Sequence, residues 1–355
     1  MKTLKKICLL FVLFFLYALV LSRNYMAETI AVEGKEVKIS NIQVIPIGKV
    51  VGIKLYTNGV LVVGTSGVQG EDNKIYKPFE STEIKEGDSI ISINGNIINN
   101  TTELINIINM NKGEELRIKY NSNNQEKECK ITPVKDQMGE YKIGLWVRDS
   151  SAGVGTLTFY NEQTKTFAGL GHAITDIDTG EVIKTSSGEI AGVNIVSIIK
   201  GEKEKPGKIQ GSIQNNLSIG NIYKNTEFGI YGIIKKLSNL NIDHSKKMNV
   251  ATRQEIQLGK AKILSNIDGE NKEYEIEIQK TYLANNYNNK SMVIKITDEE
   301  LLNKTGGIIQ GMSGSPIIQN GKFCGAITHV FLNEPTIGYA VFADRMIQEL
   351  SYLNK

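Results

Sequence analysis

A serine lies between glycines in Gly311-Met312-Ser313-Gly314-Ser315-Pro316, which follows Thr305-Gly306-Gly307 and leads into an apolar, β-prone run. These residue types suit a nucleophilic hydroxyl. Glycine lets the backbone take a tight turn with positive φ and leaves room for a substrate carbonyl to approach the main chain. In such a loop the amides of Gly311 and Ser313 can point at one spot, forming an oxyanion hole where charge develops during acyl transfer. The same composition also marks ordinary turns. The loop therefore points to chemistry only in company with a base and an acid.

A serine hydroxyl needs a base to take its proton, and the base usually needs a carboxylate to orient it. With three histidines in the chain the search is short. His244 sits in a polar stretch, Asn241 to Lys247, that reads as an exposed loop. His329 lies on the strand expected after the serine loop, where a half-buried histidine with a structural hydrogen bond is the expectation. His172 ends Phe167-Ala168-Gly169-Leu170-Gly171-His172 and is followed by small residues. A glycine-flanked histidine at a strand end, ahead of the serine in sequence, is placed as the base of a chymotrypsin-like barrel would be. His172 is the expected base. The acid is less determined, because Asp176, Asp178, Asp243, Asp268 and Asp298 all lie between His172 and Ser313. Asp298 follows the alternating run Met292 to Thr297, and a strand end holds a side chain rigidly. Asp176 would need a tight turn to reach the imidazole. The competing reading of Asp298 is the N-cap of a helix over Glu299 to Leu302.

The elements that must hold these residues read as mostly β, with short alternating runs between Gly and Asn clusters. The length of 355 residues suits two domains behind a leader, and a net charge of +3 with no basic stripe gives no sign of nucleic-acid binding. Lys2, Lys5 and Lys6 precede an apolar run from Ile7 to Leu21 that ends at Ser22 and Arg23. This pattern directs export, and it lies at the border between a signal peptide and a short membrane anchor. No small-x-small cleavage site follows, Ala27 being the nearest candidate, so residues 1–27 are read as an uncleaved signal-anchor. Cys129 and Cys324 are far apart and read as unpaired buried thiols. No His/Cys cluster has metal-ligand spacing, and acyl transfer through a serine needs neither metal nor organic cofactor.

Residues 42–135 form the first module. Val51 to Leu55 is a short alternating run, and Gly59 to Gly64 is a buried strand between glycines. Ile84 to Gly95 is a turn, a strand and an Asn-Gly hairpin corner. Thr101 or Thr102 can cap a helix through Met110, and two closing strands follow. The Gly-Asp-x-Ile-Ile-x-Ile-Asn-Gly segment, Gly87 to Gly95, resembles that of a PDZ domain of the bacterial protease-associated kind. The resemblance implies a groove in which an extended peptide adds as a strand, with the amides of Val51, Gly52 and Ile53 receiving its C-terminus. The longer stretch Gln69 to Thr82 departs from the family pattern and would alter or cover that groove.

The second module, residues 141–355, reads as a pair of β-barrels. Trp146 is expected in a β-core, and Glu202 to Lys208 as a solvated turn. Phe167 to His172, Ile296-Thr297-Asp298, Thr305 to Lys322 and Gly325 to Pro335 together resemble the stage IV sporulation protein B family, the signalling serine peptidases of endospore-forming bacteria. High-temperature-requirement proteases place their PDZ domains after the protease, and their nucleophile loop reads Gly-Asn-Ser-Gly-Gly-Pro. The resemblance implies a His172, Asp298, Ser313 triad on a chymotrypsin-like double β-barrel behind an α/β PDZ domain. It also implies membrane association in the space between forespore and mother cell. The expected substrate there is a regulatory membrane protein whose cleavage activates processing of a mother-cell sigma factor. Self-cleavage and PDZ-mediated self-association are implied as well. The alternative is a membrane-tethered PDZ adaptor with an inactive protease-like domain.

Overall fold

A computed structural model describes residues 29–32, 35–123, 125–284 and 288–350. The expected leader, residues 1–27, lies outside them. Among the described residues no helix is long and apolar enough to cross a membrane.

After a short hairpin of Thr29–Val32 with Lys35–Lys38, the first long strand is β1 (Gln43–Thr65). Its first part alternates: Ile45, Ile47, Val51, Ile53 and Leu55 point into one core, while Val44 and Val50 pack on the neighbouring ones. That is the period of two a strand imposes. The far end of β1 leaves this barrel and pairs Val60 and Leu61 with β2 (Ser89–Ile93). Helix α1 (Thr101–Met110), β3 (Leu116–Ser122) and β4 (Gln125–Ile131) complete a small domain around Val60, Val62, Ile90, Leu104, Ile108 and Ile118. Asn94 and Gly95, both at positive φ, make the expected hairpin corner. The α1 cap is Asn100 rather than a threonine, its side chain accepting from the Glu103 amide at 2.9 Å.

The chain returns on β5 (Leu145–Asn161), which runs antiparallel to β1 along nearly its whole length. Then follow β6 (Thr166–Gly169), β7 (Thr185–Ile199), β8 (Lys208–Thr226) and β9 (Gly229–Ile234). The pairings run β1, β5, β6, β9, β8, β7 and back to β1, a ring of six antiparallel strands. A second closed ring is built from β10 (Gly259–Ser265), β11 (Lys272–Thr281), β12 (Met292–Ile296), β13 (Pro316–Gln319), β14 (Lys322–Phe331) and β15 (Glu334–Phe342). Helix α2 (Glu299–Thr305) links β12 to the serine loop, and α3 (Ala343–Leu350) packs on the outside. Val50 and Ile209 of the first ring enter the core of the second, so the two barrels share apolar surface.

Four expectations are corrected here. Residues 43–57, expected in the first module, are strand of the first barrel, so the small domain is inserted between β1 and β5 rather than placed before the protease fold. Val51, Gly52 and Ile53 consequently cannot receive a peptide terminus. Their strand is paired on both sides, to Gly153–Gly155 of β5 and to Ile190 and Ala191 of β7, and Val51 and Ile53 are buried. Trp146 is not in a core: it is 63% exposed and donates from Nε1 to Ser66 Oγ at 2.9 Å. Glu202 to Lys208 is only partly a solvated turn, since Gly207 is buried and its carbonyl accepts from the Gln310 amide.

Candidate active site

The serine loop joins α2 to β13 and is fixed from both barrels. Its own turns are closed by the Met312 amide on Ile309 O (3.1 Å) and the Ser315 amide on Met312 O (2.9 Å). From the first barrel, Thr156 of β5 reaches across: its amide donates to Ser313 O (3.0 Å) and its hydroxyl to Gly311 O (2.6 Å). Gly314, at φ +96°, lies so close to Thr156 O and Leu170 that a Cβ there would stand 2.2 Å from the carbonyl oxygen. Only glycine permits that approach. The amides of Gly311 and Ser313 carry no hydrogen bond among the described residues, as donors awaiting an oxyanion would. Ser315 is fully buried with its hydroxyl unpartnered, so of the two serines Ser313 alone lines the open cleft.

His172 follows β6 through Leu170 and Gly171, both at positive φ. That kink turns the chain off the barrel rim and sets Gly171 against Thr328 and Val341 of the second barrel. The His172 Nδ1 lies 2.7 Å from Ala173 O. A carbonyl only accepts, so Nδ1 carries the proton and Nε2 is left with its lone pair, the tautomer a general base needs. Burial lowers the His172 pKa from its ordinary value, opposed by that carbonyl, and keeps the ring neutral near pH 7. The His329 ring stands beside it, centroids 5.1 Å apart. Its expected structural hydrogen bond is absent at Nδ1, which is buried without a partner. Burial, then the charges of His172 and Lys290, push the His329 pKa down to about 4.

His172, Ser313, Gly311 and His329 line one cleft of about 1000 Å³ at the seam of the barrels. Its walls include Ser151 to Val154 of β5 and Lys208 to Gly211 of β8, with Glu227 at the β8–β9 turn. None of these was legible from spacing; the serine loop finds β8 through the Ile209 amide on Gln310 O. The Ser313 hydroxyl donates to Thr328 O at 2.8 Å rather than to an imidazole. Asp298 is not brought to the cleft. Its carboxylate accepts from the Leu301 amide (2.9 Å) and the Glu275 amide (3.2 Å), so it caps α2 as the competing reading had it. Asp176 is likewise engaged elsewhere, with Arg148 and the Asp178 and Thr179 amides. His244 is exposed and bonds Glu162.

Two antiparallel barrels with a glycine-bound serine and a neutral histidine at their seam define a serine peptidase. Residues 139–347 match the family model described as SpoIVB peptidase S55, and the chain belongs to that family. It is 30% identical over 132 residues to the zinc metalloprotease RasP of Geobacillus kaustophilus, covering 33% of this chain and 31% of that protein. The chain thus spans about a third of that relative's length. Among solved structures, the PDZ domain of the SdrC-like protein Lmo2051 from Listeria monocytogenes is 25% identical, covering 25% of this chain and 87% of that one, with a TM-score of 0.21. The active form of the Rv3671c protease from M. tuberculosis is 11% identical, covering 57% and 74%, with a TM-score of 0.32. The HtrA-type protease AlgW with a decapeptide is 11% identical, covering 86% and 64%, with a TM-score of 0.34.

Proposed function

We propose that the chain is an exported, membrane-associated serine endopeptidase in which His172 activates Ser313. The observation that carries this reading is the presence of both side chains in one cleft, beside two unengaged loop amides. The Ser313 hydroxyl leaves Thr328 O, gives its proton to His172 Nε2 and attacks the substrate carbonyl carbon. The oxyanion is held by the Gly311 and Ser313 amides. His172 returns the proton to the departing amine, and water hydrolyses the acyl-enzyme by the same route. Membership of the SpoIVB peptidase family supports a sporulation role: cleavage of a regulatory membrane protein between forespore and mother cell, which activates processing of a mother-cell sigma factor. The inserted domain, read as a PDZ domain, recognises an extended peptide beside α1, from the substrate or from this chain's own N-terminal segment.

The test is a fluorophosphonate probe on the full-length protein, with the adduct mapped by mass spectrometry. Labelling of Ser313 that is lost in Ser313→Ala and His172→Ala is the expected result; labelling unaffected by His172→Ala would remove the base. A second reading, an adaptor with an inactive protease-like domain, is favoured by the Ser313 hydroxyl resting on Thr328 O. It requires Ser313→Ala to keep full signalling in sporulating cells.

A further inference from the structure

Resting on the reading that Ser313 is the nucleophile, we infer that the tip of the β7–β8 hairpin sets the oxyanion hole, with the Ile209 amide as its positioning group. A donor serves an oxyanion only if its N–H is already aimed where charge develops. The Gly311 N–H shares a peptide plane with the Gln310 carbonyl, and in a planar trans peptide the two point in opposite directions. Gln310 O accepts from the Ile209 amide at 2.9 Å, so the carbonyl is held toward β8 and the Gly311 N–H is turned away from it. Gly311 and Ser313 both line the cleft, and the Gly311 amide carries no hydrogen bond among the described residues. The next plane is held from β5, where the Thr156 hydroxyl donates to Gly311 O at 2.6 Å. Each plane flanking Gly311 is thus tied to a strand of the first barrel. Gly311, at φ +102°, is the residue type that would otherwise let those planes turn.

The hairpin tip is anchored along the whole approach to the serine. Lys208 and Gln310 pair as a short parallel bridge, and the Gln310 amide donates to Gly207 O at 2.9 Å. The Gly201 amide donates to Thr305 O (2.8 Å) at the end of α2, and the Glu204 amide to Leu332 O (2.7 Å) in the β14–β15 turn. The approach is close enough to demand small residues. A Cβ on Gly207 would stand 2.4 Å from Gly201 N and 2.6 Å from Ile309 Cγ2, and one on Gly306 2.3 Å from Gly201 O. Between the buried Gly201 and Gly207, Glu202 to Pro206 are exposed. The charged run is therefore the solvated cap of a strap that reaches from the first barrel to the nucleophile loop of the second. Without the Ile209 donor the Gln310 carbonyl can turn toward the cleft, which carries the Gly311 N–H out of it and removes one oxyanion donor. Across β7, Ile209 stands opposite Ile198, but its amide is spent on Gln310, so a proline at 209 removes that bond and no donor of the β7–β8 ladder.

The experiment compares the full-length wild type with Ile209→Ala and Ile209→Pro. Alanine removes the buried side chain and keeps the amide; proline removes both. Ser313 is phosphonylated with a fluorophosphonate, whose phosphoryl oxygen occupies the oxyanion hole. His172 is acylated separately with diethyl pyrocarbonate, which needs no oxyanion donor, and both adducts are mapped by mass spectrometry at matched fractional folding. Phosphonylation is expected to be about 100-fold slower in Ile209→Pro than in Ile209→Ala, with His172 acylation equal in the two. A difference within about threefold, or His172 acylation falling in step with phosphonylation, overturns the assignment. Amide exchange in the wild type decides it where the proline chain does not fold. The Ile209 and Gln310 amides are expected to exchange slowly throughout, and the Gly311 amide to exchange fast in the free protein and slowly once Ser313 is phosphonylated. An Ile209 amide that exchanges as fast as that of Gly311 overturns the assignment. A wild type that is never phosphonylated would refute the peptidase reading, while the contrast in exchange between Ile209 and Gly311 would still decide the strap.

Discussion

Substitution of Asp298 separates a helix cap from a member of the catalytic machinery. As a cap, Asp298 satisfies the amides of Leu301 and Glu275. Asp298→Ala loses both, which costs about 1 kcal/mol for the cap and about 1 kcal/mol for the second bond. At roughly 2–4 °C per kcal/mol for a domain of this size, Tm falls by about 4–8 °C. Asp298→Asn keeps one carbonyl acceptor for Leu301 and loses the other, so it costs about 1 kcal/mol. Well below Tm neither loss reaches the chemistry, and labelling of Ser313 stays within about threefold of the wild type, since α2 is still formed. Removal of an orienting acid has a different size. Changing such an aspartate to asparagine slows turnover about 10⁴-fold, about 5 kcal/mol of transition-state stabilisation. The assay is the pseudo-first-order labelling rate at 20 °C beside a thermal melt of the same samples. A drop beyond about 10³-fold in Asp298→Asn with an unmoved Tm would refute the capping argument.

Gly311→Ala puts a Cβ 2.9 Å from Ile209 at a φ of +102°, and it is expected to lower Tm and to slow labelling more than stability explains; comparison at matched fractional folding checks this. Arg253→Met strands the buried Asp344 carboxylate, now 2.6 Å from Arg253 Nε, and should cost about 3–5 kcal/mol in urea unfolding. Arg148→Gln removes two 2.7 Å contacts to Asp176 and Asp178; faster amide exchange over residues 173–183 is expected, and unchanged exchange would show the pair to be idle. The pH dependence has a definite sign. His329 is held to about 4 in the folded protein against an ordinary 6.5, so the unfolded chain binds more protons between those values and stability is lost as pH falls through that window. His329→Asn should flatten the urea midpoint between pH 6.5 and 4.

How legible the molecule was in its sequence depended on how local each signal is. The serine loop and His172 were legible because their glycines are demanded by local backbone geometry, Gly314 by contact with Thr156 and Gly171 by its positive φ. Strand periodicity gave the β class and the paired barrels. The same periodicity misplaced β1, because a strand that serves two domains alternates identically in both. Val51 to Ile53 match a peptide-binding strand in pattern, and only long-range pairing with β5 and β7 shows them buried. Asp298 could not be settled from its strand end, since a cap and a catalytic acid occupy the same kind of position. In the cleft wall Glu227 had no local mark at all; it is placed by a hairpin that clamps residues some fifty positions away in sequence.

The insertion gives the small domain a direct mechanical connection to the cleft. Both strands that leave the first barrel, β1 and β5, continue unbroken into it. Asp149 of β5 accepts from the Thr101 amide at the start of α1 at 2.7 Å, and two residues on, about 7 Å along the strand, Ser151 begins the cleft wall. One residue before Asp149, Arg148 ties the same strand to the loop that follows His172. Beyond Ser151 the strand reaches Thr156, which holds the serine loop by its amide and hydroxyl. One strand therefore touches the helix of the inserted domain, the histidine loop, the cleft wall and the nucleophile loop in succession. A hinge between independent domains would absorb a change in the small domain before it reached the site. From Leu145 to Thr156 β5 is paired to β1 alone, with bulges at Trp146/Val147 and Arg148/Ser150, so the connection is one strand and not a flexible linker. The path from α1 to the serine loop therefore runs along a single strand through Asp149, Ser151 and Thr156.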